Sequence, residues 1–240
     1  MMRNRLEVIE CLKTLVYDLE KFTNERNHIQ KIIEQNYWLF GESYHLVSAD
    51  VTFERLLSKY LYALDGQHKP DLIQIENQEA NRRPDIFICR NHKVNDAKTS
   101  SMLEENIIVE LKRPSVTIGI TQYRQIEDYL RLIKNEPQFS SQSRLWKFYV
   151  ISSKIDDDVK NKYESFKSYN KRYLVYFEGN HEIYALSWDD VFQEFYYKHE
   201  YLLSKFSFSK ESIKAEVENV RKDVEESNTL TQRILSLETQ

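Results

Sequence analysis

An α/β fold, a mixed central sheet flanked by helices, is the architecture that this 240-residue chain predicts. Three observations carry the expectation. Short β-branched and aromatic runs, such as DIFIC (Asp85 to Cys89) and LWKFYVI (Leu145 to Ile151), alternate with segments whose apolar residues recur every three or four positions. Arg172 to Phe177 and Glu182 to Trp188 flank a turn containing Gly179, the pattern of a β-hairpin. Hydrophobic residues make up 41% of the chain, enough for one sizeable core, while Gly and Pro number four each and no linker or repeat interrupts the pattern.

The elements follow in order. Leu6, Ile9, Leu12, Leu15, Val16, Leu19 and Phe22 mark an amphipathic helix within residues 1–24. A second helix spans about Asn24 to Asn36, with Ile29, Ile32 and Ile33 on its buried face. Tyr44 to Ser48 reads as a strand and Phe53 to Leu64 as a helix. Two strands meet around Asp85 to Cys89 and Ile107 to Leu111, separated by a polar loop. From Ile120 to Lys134, Tyr123, Ile126, Leu130 and Ile133 give helical spacing. Beyond the Leu145 strand come a polar helix from Asp156 to Tyr169, the hairpin, and an aromatic helix from Asp189 to Phe206. The core is therefore expected over 25–207, with a distinct tail over 208–240. In the tail Ile213, Val217, Val220 and Val224 form a short seam that docks on its own domain or associates with a second copy. A homo-oligomer is expected.

Charged residues are 30% of the chain and no apolar run approaches the ~18 residues of a membrane span. The first ten residues lack a signal-peptide core. Cys11 and Cys89 are expected to be reduced, buried thiols, so a cytoplasmic protein is anticipated. The net charge of −4 does not by itself suggest nucleic-acid binding, nor does it exclude it, because affinity depends on local charge.

The most informative stretch runs from Arg83 to Arg113: RPDIFI, then NIIVELKR. In a strand side chains alternate, so Glu110 and Lys112 share one face while Ile107, Val109 and Leu111 share the other. In a long-looped antiparallel hairpin, Asp85 is expected opposite Lys112 and Phe87 opposite Glu110. That register would gather Asp85, Glu110 and Lys112 at one end of one face. Two carboxylates suit Mg²⁺, a hard cation that takes oxygen ligands and keeps several waters, beside a substrate phosphate. Lys112 would position the attacking water or stabilise charge on the phosphate. On the following helix Gln125 and Tyr129 are an i,i+4 pair bordering the apolar stripe, together with Gln122. Arg82, Arg83, Arg113 and Arg124 cluster beside the carboxylates, either as ordinary surface charges or as phosphate contacts.

Taken together, RPDIFI…IIVELKR…QIEDYL resembles the QxxxY-bearing branch of the PD-(D/E)xK nucleases. With the upstream IQKIIEQNYWLFG it looks most like the Shedu family of prokaryotic antiviral defence nucleases, over roughly Glu25 to Phe206. Tyr37 stands where that resemblance would have Pro, a change at a helix end. The resemblance implies a restriction-endonuclease-like core, Mg²⁺ or Mn²⁺ as cofactor, and double-stranded phage DNA as partner. It makes Asp85 and Glu110 metal ligands and Lys112 the catalytic lysine; Gln125 orients the lysine or phosphate, and Tyr129 supports it. It also implies a metal-site glutamate on the first core helix. Glu25 lands near the buried face of that helix and could equally serve as a first-turn charge behind an Asn24 cap; Glu34 is expected to point to solvent. Three functions follow: a metal-dependent DNA endonuclease, a nucleic-acid-binding module with little cleavage, or an interaction protein working through the tail.

Overall fold

The computed structural model describes residues 2–49, 51–53, 55–56, 60, 83–95, 100–136, 139, 141 and 143–205. Arg82, most of the helix expected from Phe53 to Leu64, and the tail helix lie outside these residues. The chain divides into two compact units, Met1–Phe192 and Gln193–Gln240. In the second unit the described residues, 193–205, are helical.

Six strands of the first unit form a mixed sheet: β1 (His45–Ala49), β2 (Ile86–Asn95), β3 (Ser100–Leu111), β5 (Arg144–Ser152), β7 (Leu174–Glu178) and β8 (His181–Ser187), in the order β1-β2-β3-β5-β8-β7. β1, β2 and β3 pair antiparallel, β3, β5 and β8 pair parallel, and β7 returns antiparallel on β8. A separate parallel pair, β4 (Thr117–Ile118) with β6 (Lys154–Ile155), had no periodic signal because it is two residues long. The expected hairpin is present, with Gly179 at φ +56 in its turn, a backbone region that favours glycine.

One face of the sheet carries Phe87, Ile108, Phe148, Val150, Ile183 and Ala185, all fully buried. They pack with Tyr123, Ile126, Leu130 and Ile133 of α3 (Ile120–Asn135) and Val159 of α4 (Asp157–Ser165) in one apolar cluster. Phe87 stacks on Trp146 at 5.9 Å between centroids, and Tyr60 meets both edge-on. On the other face Ile88, Ile107, Val109 and Ile151 are equally buried. Phe40 packs there on Tyr149, with centroids 5.9 Å apart. That face also buries Glu105 and Glu182. Arg90, Lys147 and Tyr44 surround Glu105; burial raises its pKa, but Lys147 and then Tyr44 and Arg90 bring it below the usual carboxylate range. Lys171 and Tyr184 pair with Glu182.

The N-terminal elements differ from a simple 3.6-residue reading. α1 (Met2–Lys13) widens into a π-helical turn over Thr14–Asp18 and then stops, so Leu19 and Phe22 are exposed while Ile9, Leu12 and Val16 are buried. Cys11 falls between those buried positions and is exposed, not buried as expected; both cysteines are free. α2 starts as a π-helix over Glu25–Gln30 and continues as an α-helix over Lys31–Gln35. Its i→i+5 winding moves Glu34 from the solvent side: it is half-buried and accepts a hydrogen bond from Gln30 Nε2 at 3.0 Å. Tyr37–Phe40 forms a 3₁₀ turn. No helix among the described residues is long and apolar enough to cross a membrane.

Candidate functional site

The observed hairpin register pairs Ile86 with Val109 and Phe87 with Ile108. Continued by one residue, it sets Asp85 level with Glu110 and not with Lys112. The expected register was therefore two residues out. Because side chains repeat every two residues, an even slip leaves Asp85 and Glu110 on the same face. The site sits at the carboxyl end of β3, with antiparallel β2 on one side and parallel β5 on the other.

Asp85 follows Pro84 immediately before β2 and is 5% exposed. Its Oδ2 accepts from the Leu111 N–H at 2.7 Å, and its carbonyl accepts from Gln30 Nε2 at 3.1 Å. Glu110 is also 5% exposed. Its Oε1 accepts from Lys112 Nζ at 2.8 Å and Gln125 Nε2 at 2.6 Å, and its Oε2 from the Tyr129 hydroxyl at 3.2 Å. Gln125 Oε1 in turn accepts from Lys112 Nζ at 2.7 Å. Lys112, Glu110 and Gln125 thus form a closed triangle of hydrogen bonds, with Asp85 alongside. The Lys112 N–H continues the parallel ladder by donating to the Ile151 carbonyl at 2.8 Å, which fixes the lysine backbone.

α3 brings Gln125 and Tyr129 to this point. Gly119 precedes it: its carbonyl accepts from the Tyr123 N–H at 2.9 Å, and its own N–H donates to Gln122 Oε1 at 3.1 Å. Gln122 is therefore occupied in capping and does not join the site. A Cβ at Gly119 would stand 2.6 Å from Asp156 Oδ2, so any larger residue here would have to displace the Asp156 carboxylate. Tyr129 is 1% exposed and stacks on Phe53 at 5.4 Å. Burial, and then the negative charges of Glu110 and Asp85, keep its phenol protonated well above the usual range.

Electrostatically the site disfavours an ionised Asp85 beside Glu110. Burial, and then the Glu110 carboxylate, push Asp85 from its ordinary 3.8 up to about 8, against the opposing pull of the Leu111 N–H, Lys112 and Arg26. The two carboxylates face a cleft of about 460 Å³ that is also lined by Asn24, Glu25, Arg26, Asn27, Lys112, Arg113 and Gln125. Asn24 caps α2 through its Oδ1, which accepts from the Arg26 and Asn27 N–H groups at 2.9 and 3.0 Å. Glu25 occupies the first turn behind that cap, and its Oε2 accepts from Arg113 Nε at 2.8 Å. Among the described residues, no group of three or more His, Cys, Asp or Glu side chains is gathered closely enough to hold a metal ion.

Of the expected phosphate contacts, Arg113 lines the cleft, whereas Arg83 and Arg124 are exposed and stand outside its lining. Sequence reasoning missed Arg26 and Gln30. Arg26 was legible in principle as a cation two residues after an Asn cap. Gln30, which is 2% exposed, had no signal, because its burial depends on the π-helical start of α2. Comparison with protein-family models, curated proteins and solved structures finds no match for this chain.

Proposed function

We propose that this protein is a metal-dependent DNA endonuclease that hydrolyses phosphodiester bonds, acting in prokaryotic defence against phage as the resemblance to Shedu nucleases implies. The observation that carries this reading is the Glu110–Lys112–Gln125 triangle beside Asp85 at the carboxyl end of β3. Two buried carboxyl groups side by side, whose joint ionisation a divalent ion would favour, are a donor set suited to Mg²⁺ or Mn²⁺, which need few protein ligands when water and a phosphate oxygen supply the rest. A bound divalent ion supplies Lewis acidity and a water of lowered pKa. Asp85 and Glu110 would hold it, with Glu110 oriented by the Tyr129 hydroxyl. Lys112 Nζ would face the scissile phosphate and stabilise its developing charge, and Gln125 would hold the lysine in place. Arg26 and Arg113 would fix the flanking backbone phosphates.

The test is purified full-length protein with plasmid DNA and Mg²⁺ or Mn²⁺. Wild type is expected to cleave, and Lys112→Ala to lose about 10²–10³-fold, the usual cost of removing a charge-stabilising donor. No cleavage by wild type with either ion, or undiminished cleavage by Lys112→Ala, overturns the proposal. A second reading, a nucleic-acid-binding module with little cleavage, draws on the absence of a three-carboxylate group among the described residues. It predicts salt-dependent DNA binding without cleavage under any divalent ion.

A further inference from the structure

The most exposed large apolar side chain among the described residues stands beside the cleft and has no part in the chemistry just described. Phe22 is 81% exposed, and Leu19 on the same turn is 42% exposed. Apolar side chains scattered singly over a surface are ordinary, but Phe22 differs in two respects. It has no hydroxyl to favour water, unlike the exposed Tyr17, Tyr169, Tyr197 and Tyr201. The turn that carries it is also pinned. The Leu19 carbonyl accepts from the N–H groups of Phe22 and Thr23, both at 2.9 Å. Thr23 is buried, and its hydroxyl donates to the Leu15 carbonyl at 2.7 Å. Glu20 pairs with Lys154 of β6 at 3.6 Å. The backbone under the ring is therefore fixed in advance, which lowers the ordering cost of binding there.

The position and the charges around the ring indicate what would lie on it. Phe22 comes two residues before Asn24, the first of four consecutive residues, Asn24 to Asn27, that line the Asp85–Glu110 cleft. Its Cα is thus within about 7 Å of that of Asn24 in the cleft wall. Lys21 is exposed beside it, and Arg26 lines the cleft. The acidic members of the same segment, Glu20 and Glu25, are paired with Lys154 and Arg113. An uncovered aromatic face among cations is the combination that holds single-stranded nucleic acid: the cations follow the backbone and the ring takes a base. A base inside an intact duplex is covered on both faces by its neighbours and has no face to offer.

We propose that Phe22 is a base-stacking platform, so that the strand entering the cleft is bound with an unstacked nucleotide next to the phosphate at Asp85 and Glu110. The proposal rests on the nuclease reading above and narrows its substrate: single strands, and duplexes with a locally unpaired stretch, bind in preference to intact duplex. Phe22 touches the base and not the reacting phosphate, so its effect is visible in binding without turnover.

Binding of the full-length protein to three labelled oligonucleotides in EDTA tests it: a single strand, a duplex with a short central gap, and the intact duplex. Wild type is expected to bind the first two at least about fivefold more tightly than the third. Phe22→Ala is expected to lose about five- to twentyfold on the first two, the scale of one stacked base, and to match wild type on the third. Phe22→Trp keeps the aromatic face and should bind at least as well as wild type, whereas Phe22→Leu should lose as much as Phe22→Ala. Stacking releases no counterions, so Phe22→Ala should keep the salt slope of wild type while Arg26→Gln lowers it by about one. Single-strand affinity unchanged in Phe22→Ala, an equal loss on intact duplex, or full retention by Phe22→Leu overturns the platform. So does a Phe22→Ala variant whose only change is its oligomeric state in sedimentation, which would make the turn a protein contact. If wild type binds the oligonucleotides and Phe22→Ala changes nothing, the platform alone fails and the nuclease reading stands. If wild type binds none of the three, the nuclease reading fails and the platform with it.

Discussion

Asp85→Asn is expected to make the protein more stable, and more so as the pH rises. In the folded chain the Asp85 carboxyl titrates near 8 instead of 3.8, raised by burial and then by Glu110. Over that interval the folded state keeps a proton that the unfolded chain has lost. Stability therefore falls as the pH rises from about 4 to about 8 and levels off above. Roughly four pH units at about 1.36 kcal/mol each set a ceiling on the order of 5 kcal/mol. Relaxation and water entry around a buried carboxylate bring the effect below that ceiling, so a gain of about 2 kcal/mol or more is expected at pH 8.5. An asparagine carries no charge at any of these pH values, and its carbonyl oxygen can still accept from the Leu111 N–H. For a chain of this size 2 kcal/mol corresponds to about 4–8 °C in Tm. The assay is thermal unfolding of both proteins in EDTA at pH 4.5 and 8.5, where the difference should be small at the lower pH and large at the higher. Saturating Mg²⁺ at pH 8.5 should recover much of the loss in wild type and leave Asp85→Asn unmoved. A variant no more stable relative to wild type at pH 8.5 than at pH 4.5 would refute the raised Asp85 carboxyl.

Three further substitutions probe the supports of the site. Tyr129→Phe keeps the stack on Phe53 but removes the donor to Glu110 Oε2; a loss of about 1 kcal/mol, or roughly fivefold in plasmid cleavage rate, is expected with the fold intact by circular dichroism. Gln30→Ala leaves the Asp85 carbonyl without its donor and should cost about 1–3 kcal/mol in urea unfolding. Gly119→Ala pushes a methyl group against Asp156, whose Oδ1 caps α4 by accepting from the Val159 N–H at 2.9 Å. A loss of about 1–2 kcal/mol, also read by urea unfolding, is expected as that cap is displaced.

The parts of this molecule that a sequence reveals are those set by local periodicity. α3 was legible because its apolar residues keep a 3.6-residue spacing through sixteen residues, and Gln125 and Tyr129 then fall on one strip by geometry alone. The shared face of Glu110 and Lys112 follows from strand alternation, whatever the partner strand does. The hairpin register was not legible: RNHKVN and SSMLEE show no apolar alternation, so they read as a polar loop, yet they continue β2 and β3 to Asn95 and Ser100. Their pairing comes from the backbone, and the register follows from the full ladder. The π-helical start of α2 was equally hidden. It turns Gln30 inward and Glu34 part-way in, and no side-chain pattern announces an i→i+5 bond. The burial of Glu105 and Glu182 depends on Arg90, Lys147 and Lys171, cations from three other segments that no local pattern brings together.

The measurement that bears most directly on the central claim is a crystal of the full-length protein soaked in Mn²⁺, with the ion located by anomalous scattering. A peak bonded to carboxylate oxygens of both Asp85 and Glu110, about 2.0–2.3 Å from each, with Lys112 Nζ facing the same cleft, is the expected result. A well-diffracting soaked crystal with no ion at that position, or with Mn²⁺ bound only elsewhere, would contradict it.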